Sequence, residues 1–139
     1  MAQIKLSGLE EIEKQLQRRE KAAEEAVPEM LKAGAAVLVE SEREEMERLE
    51  LVDYGDMRDS VKATKVKESR GGKSIEVYPQ GKDRKGVSNA TKAFVAQYGK
   101  SGMSARPWLT AAKAKSGDKI SQTMKEVWRK KQQGPWITF

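Results

Sequence analysis

The first fifty residues place the tightest limit on what this chain can fold into. Apolar residues recur there every three or four positions, at Leu9, Ile12 and Leu16 and again at Leu31, Ala35, Leu38, Val39, Met46 and Leu49. That spacing puts them on one face of an α-helix and on no single face of a strand. Ser7-Gly8-Leu9-Glu10 has the Ser and Glu of a capping box, each able to satisfy an open amide, and predicts a helix over residues 9–21. Pro28 lacks an amide proton and suits the first turn of a second helix, which then runs to residue 50. The side of that helix bearing Glu40, Glu42, Arg43, Glu44, Glu45 and Glu47 is nearly all charged and reads as its solvated face. Gly34 either admits a close neighbour or is a tolerated defect.

Near residue 60 the periodicity changes. Asp53-Tyr54-Gly55-Asp56 is turn chemistry. Residues 60–67 alternate Val and Thr with Lys, and residues 74–78 place Ile75 and Val77 on one face and Glu76 on the other. Both read as strands, joined by a hairpin turn at Arg70-Gly71-Gly72-Lys73, with Pro79 at the end or the edge. Residues 80–88 combine two glycines with Lys82, Asp83, Arg84 and Lys85 and read as a mobile exposed loop. Asn89 is placed to cap a short helix that Gly99 stops. Arg106-Pro107 opens a last helix carrying Leu109, Ala112, Ile120, Met124 and Val127, which ends by Gly134-Pro135. Trp136-Ile137-Thr138-Phe139 is then an apolar tip with no helix to carry it.

The class is therefore α+β: N-terminal helices, a small antiparallel sheet, and a long C-terminal helix packed on the sheet. A chain of 139 residues reads as one domain, with 1–50 as a helical half, 51–133 as strands and C-terminal helix, and 134–139 as a flexible tail. Trp108 and Leu109 are expected in the core, with Phe94 and Tyr98 close to them.

The chain has no Cys and no His. Disulfides, thiolate or imidazole metal sites, cysteine nucleophiles and His general bases are excluded. Asp53, Asp56 and Asp59 lack the alternate-position spacing of a calcium loop and are better explained as turn residues. Ser101-Gly102-Met103-Ser104 is no nucleophile elbow, and Arg70-Gly71-Gly72-Lys73 lacks the gap and the following Ser/Thr of a phosphate loop. The expectation is no enzyme, with no catalytic residue, metal or cofactor.

Charge is distributed unevenly. Residues 1–50 carry 8 Lys/Arg against 13 Asp/Glu, and the whole chain has a net charge of +6, so the remainder is strongly basic. Three readings stand side by side: subunits packing acidic face to basic face, a basic half meeting nucleic-acid phosphates, or solvated surface without a partner. Lys62, Lys65 and Lys67, Lys82, Arg84 and Lys85, and the basic residues from Lys113 to Lys131 carry the second reading. With no zinc finger and no aromatic-rich RNA-binding strand, only sequence-independent contact is supported. No apolar run approaches the roughly 20 residues that span a bilayer, and the N-terminus lacks a signal-peptide core, so no membrane contact is expected.

Two stretches carry a family resemblance. Asp53-Tyr54-Gly55-Asp56-Met57-Arg58-Asp59-Ser60-Val61 after a long helix resembles the Thr-Gly-x-Leu-Arg-x-Ser-Ile stretch of the tail-completion, or head–tail joining, proteins of long-tailed bacteriophages. Phe94-Val95-Ala96-Gln97-Tyr98-Gly99, followed after a loop by Ala105-Arg106-Pro107-Trp108-Leu109-Thr110-Ala111-Ala112, resembles that family's Glu-(Phe/Tyr)-Gly segment and Arg-Pro-Phe-Leu-x-Pro-Ala. Gln97 stands where the family usually has Glu, Tyr54 where it has Thr, and Thr110-Ala111 where its second Pro would fall. The resemblance marks Gly55, Arg58, Ser60, Tyr98, Gly99, Arg106, Pro107, Trp108 and Leu109 as fold-defining positions. It implies a structural virion protein of the head–tail junction, made in the host cytoplasm, that binds neighbouring neck or tail proteins and copies of itself in a ring around a DNA channel. Trp136, Ile137 and Phe139 are candidate assembly contacts, since apolar side chains of that size are costly to leave in water. A sequence-independent nucleic-acid-binding protein is the alternative.

Overall fold

The structure, a computed structural model of the chain, describes residues 2–52 and 54–131; side chains are described from Lys14 on, Gln15 excepted. Its elements are α1 (Ala2–Arg48), α2 (Asp56–Asp59), β1 (Val61–Ala63), β2 (Lys67–Ser69), β3 (Gly72–Ser74), β4 (Val77–Pro79), α3 (Asn89–Tyr98) and α4 (Trp108–Lys131). The class is α+β.

The two expected N-terminal helices are one. α1 runs 47 residues with Pro28 inside it. An internal proline leaves the carbonyl four residues earlier without its amide partner. That carbonyl belongs to Glu24, and the Lys73 ammonium on β3 donates to it at 3.4 Å. A long-range contact thus satisfies the group that Pro28 strands, and the helix continues. The capping-box residues at 7–10 also lie inside the helix, because Ala2, Gln3, Lys5 and Leu6 are competent helix formers and no breaker precedes Ser7.

α1 ends on a Schellman motif. The Leu51 amide donates to the Met46 carbonyl at 2.8 Å and the Glu50 amide to that of Glu47 at 3.1 Å. Glu50 takes the left-handed conformation usually reserved for glycine, with φ 57°. Met46 and Leu51 on either side of it both belong to the core.

α4 runs antiparallel to α1: Ser41 Oγ donates to the Ala112 carbonyl at 3.1 Å, while Lys131 pairs with Glu29 at 2.9 Å. Gly34 is a close-approach site, since a Cβ there would sit 3.2 Å from Ile120 Cγ2 and from Met124 Sδ. The strands pack on α1 as well, so the expected docking of α4 on the sheet is made largely through α1. Only the first turn of α4, through Trp108 and Leu109, joins the strand residues Val61 and Val77 in the core, with Met46, Met57, Ala93 and Ala96.

The expected hairpin forms as two antiparallel ladders. β1 pairs with β4 with Val61 opposite Pro79, and β2 pairs with β3 with Lys67 opposite Ser74. Three residues separate β1 from β2, and two separate β3 from β4. The odd residue makes the irregularity that ends one ladder and offsets the next.

The solvated face assigned to α1 is corrected at two positions. Glu42 is 0% exposed and Glu45 is also buried. α1 has neighbours on more than one flank, so its buried arc is wider than a single stripe. The loop at 80–88 is likewise folded rather than poor in internal contacts. Asp83 Oδ1 accepts the amides of Lys85 and Val87, both at 2.9 Å, and Asp83 Oδ2 meets the Lys92 ammonium at 2.6 Å. Trp136, Ile137 and Phe139 lie outside the described residues.

Candidate assembly surface

The motif residues mostly hold the molecule together. Gly55 has φ 85° and opens α2, and an added Cβ would lie 3.0 Å from the Arg58 guanidinium. Arg58 donates to Glu47 Oε1 at 2.9 Å, tying α2 to α1, and to Asp59 Oδ1 at 3.0 Å. Ser60 closes α2 by donating its hydroxyl to the Met57 carbonyl at 2.6 Å, and its own carbonyl accepts the Gln80 amide. Arg43, read from sequence as surface charge, reaches across to donate to the Val61 carbonyl at 2.8 Å.

The second motif docks α4. Gly99 has φ 78°, and a Cβ on it would lie 2.9 Å from the Ala105 amide nitrogen, so a side chain there collides with backbone. Arg106 donates through Nη1 to the carbonyls of Leu49 at 3.2 Å and Glu50 at 3.4 Å. Its cation therefore sits at the negative end of the α1 dipole. The Pro107 carbonyl accepts the Ala111 amide, an opening hydrogen bond of α4. Trp108 is 3% exposed and donates its indole N–H to the Ala93 carbonyl at 2.8 Å; Leu109 is half-buried against the same core. Gln97, where the family usually has Glu, accepts the Leu109 amide at 2.8 Å and so caps α4 from α3.

Ser88 and not Asn89 caps α3, accepting the Thr91 amide at 3.3 Å, while Asn89 is buried and donates to the Gln80 carbonyl. A larger correction concerns Phe94 and Tyr98. Both face outward, 64% and 65% exposed, with their rings 4.8 Å apart. The buried side of α3 consists of Asn89, Ala93, Ala96 and Gln97, small or polar residues, because the bulk on that side is supplied by Trp108. Tyr98 is therefore a surface residue and not a docking residue of the core.

Beside this pair lies a half-open groove of about 720 Å³. Its apolar lining comes from Leu51, Val52, Met57, Val95, Ala96 and Met103, so the segments around both motifs build it. On one wall Arg84 clamps Asp56 with two side-chain hydrogen bonds of 2.8 and 2.7 Å, and its guanidinium lies 4.5 Å from the centre of the Tyr54 ring. The Arg84 hydrogen bonds hold the Asp56 carboxyl well below the usual carboxylate range. Asp56 and Asp59 are each engaged by an arginine, and among the described residues no cluster of three potential metal ligands occurs.

The charge imbalance is partly answered within the chain. Acidic α1 meets the basic remainder through Glu29–Lys131, Glu44–Lys115 and Glu47–Arg58. Pairing within one chain is a further outcome beside subunit packing, nucleic-acid contact and solvated surface. The hairpin keeps an exposed basic character at Lys62, Lys65, Lys67 and Arg70.

The arrangement is a scaffold with an outward aromatic pair and a groove that holds an apolar patch among charged residues. Residues 10–100 match the model of a family described as "Bacteriophage HK97-gp10, putative tail-component". The chain belongs to this HK97-gp10-like family of phage tail components. The match covers the first motif and Phe94–Gly99, while Arg106, Pro107, Trp108 and Leu109 lie beyond it. Comparison with curated proteins and with solved structures gave no match. Among the described residues no helix is long and apolar enough to cross a membrane.

Proposed function

We propose that the protein is a tail-completion component of the head–tail junction that works by binding other virion proteins and copies of itself, without catalysis. The observation that carries this reading is the Phe94–Tyr98 pair. Two large aromatic rings stand open on one outer helix face, inside the segment that matches the family. Aromatic residues of this kind are common anchors of protein interfaces, and leaving them in water is unfavourable. The family's role as a tail component supports a structural virion function, and the resemblance of the two motifs to neck proteins supports the junction. In a ring around the channel, the exposed cations of the hairpin would face DNA without reading its sequence.

The test is a Phe94→Ser, Tyr98→Ser double variant. Both positions are solvent-facing, so the chain should melt like wild type while particles assembled with it fail to join heads to tails. Normal joining by the variant would remove the reading.

A further inference from the structure

We propose that the groove lined by Leu51, Val52, Met57, Val95, Ala96 and Met103 receives the apolar segment Trp136-Ile137-Thr138-Phe139 of a second copy of this chain. The inference rests on the assembly reading above and names one of its contacts. The groove's volume of about 720 Å³ lies within the range of roughly 300–1,000 Å³ that suits an inserted group. Leu51, Val52, Met57, Val87, Val95, Ala96 and Met103 give the groove an apolar patch among charged residues such as Asp83, Arg84, Lys85 and Lys100, and three of the four residues 136–139 are large and apolar.

Chain geometry decides which copy supplies the segment. α4 begins at the groove: Arg106 lines it, and Trp108 packs on Ala93 and Ala96 beside it. From Trp108 the helix carries the chain away for 23 residues to Lys131, about 35 Å at 1.5 Å per residue. Trp136 lies five positions further on and can return at most about 18 Å, and Phe139 about 29 Å, even fully extended. A chain cannot place Trp136 in its own groove. The same segment on a neighbour meets no such limit, and a head-to-tail contact of this kind repeats from copy to copy as a ring requires.

The experiment uses the full chain with a benzophenone amino acid in place of Trp136, mixed with isotopically labelled wild-type chain and irradiated. Adducts should join two chains and map to the groove residues. A Val87→Asp change in the receiving chain, at an exposed position on the groove wall, should cut the yield about tenfold, as expected when one apolar contact is replaced by a charge. An adduct within one chain near Leu16, which is 59% exposed on α1, would overturn the proposal, and so would intermolecular adducts outside the groove. If chains still self-associate while the adducts map elsewhere, this contact is refuted and the assembly reading stands. If no self-association occurs under any condition, both fall.

Discussion

Replacing Glu42 by Gln should stabilise the protein, and increasingly so as pH rises. Glu42 is 0% exposed, and neither carboxylate oxygen has a hydrogen-bond partner. Burial pushes its carboxyl up from 4.5 to about 8, against a smaller opposing pull from the Lys113 charge. The folded chain therefore binds a proton at this site between those two values that the unfolded chain has released. Stability contributed by this group is complete below about pH 4.5 and is lost as pH climbs to about 8. At about 1.4 kcal/mol per pH unit, the advantage of Glu42→Gln over wild type should grow by about 2.5 kcal/mol between pH 5 and pH 7. Urea unfolding of both proteins at pH 5, 6, 7 and 8 measures it. Removing the Lys113 charge should enlarge the wild-type pH dependence, since that cation favours the ionised form. Curves for Glu42→Gln and wild type that run parallel over this range would mean instead that Glu42 is ionised and satisfied in the folded state.

Trp108→Ala should cost about 3–5 kcal/mol in denaturant unfolding, the usual loss for a buried tryptophan; a melt like that of wild type would place the residue on the surface. Glu50→Gly should stabilise by about 1 kcal/mol in the same assay, because a non-glycine residue there holds a left-handed conformation. Asp56→Asn removes the negative charge and one of the two acceptor oxygens that Arg84 clamps, and limited proteolysis should then cut at Arg84 or Lys85 faster than in wild type. In the wild type the same clamp should hold at neutral pH and release only on strong acidification, because the Asp56 carboxyl titrates well below its unfolded range.

Much of the fold was legible from local chemistry. Gly99, Pro107 and Trp108 could be placed because a helix stop, a helix start and a large apolar residue lie within ten positions of one another. The hairpin followed from alternation and a Gly-Gly turn. What escaped depended on distant partners or on position. Pro28 stays inside the helix with Lys73, 45 residues along the chain, donating to the carbonyl it strands, and no local signal announces that contact. Glu42 reads as solvent-facing by its charge, yet it lies seven residues after Ala35, three after Val39 and four before Met46, in the middle of the apolar stripe. Position outweighs residue type there. Phe94 and Tyr98 are the opposite case: an i, i+4 aromatic pair on a helix reads as core when only the chain itself is available to cover it, and here it faces outward. The turn inside residues 80–88 was readable from Asp83 and Gly86, but the Arg84–Asp56 clamp that fixes it joins two loops and was not.

Whether the protein joins heads to tails is decided by electron microscopy of phage particles assembled with and without it. Particles lacking it should accumulate as separate filled heads and complete tails, and adding the purified protein should restore joined virions. Intact, infectious virions formed in its complete absence would contradict that role.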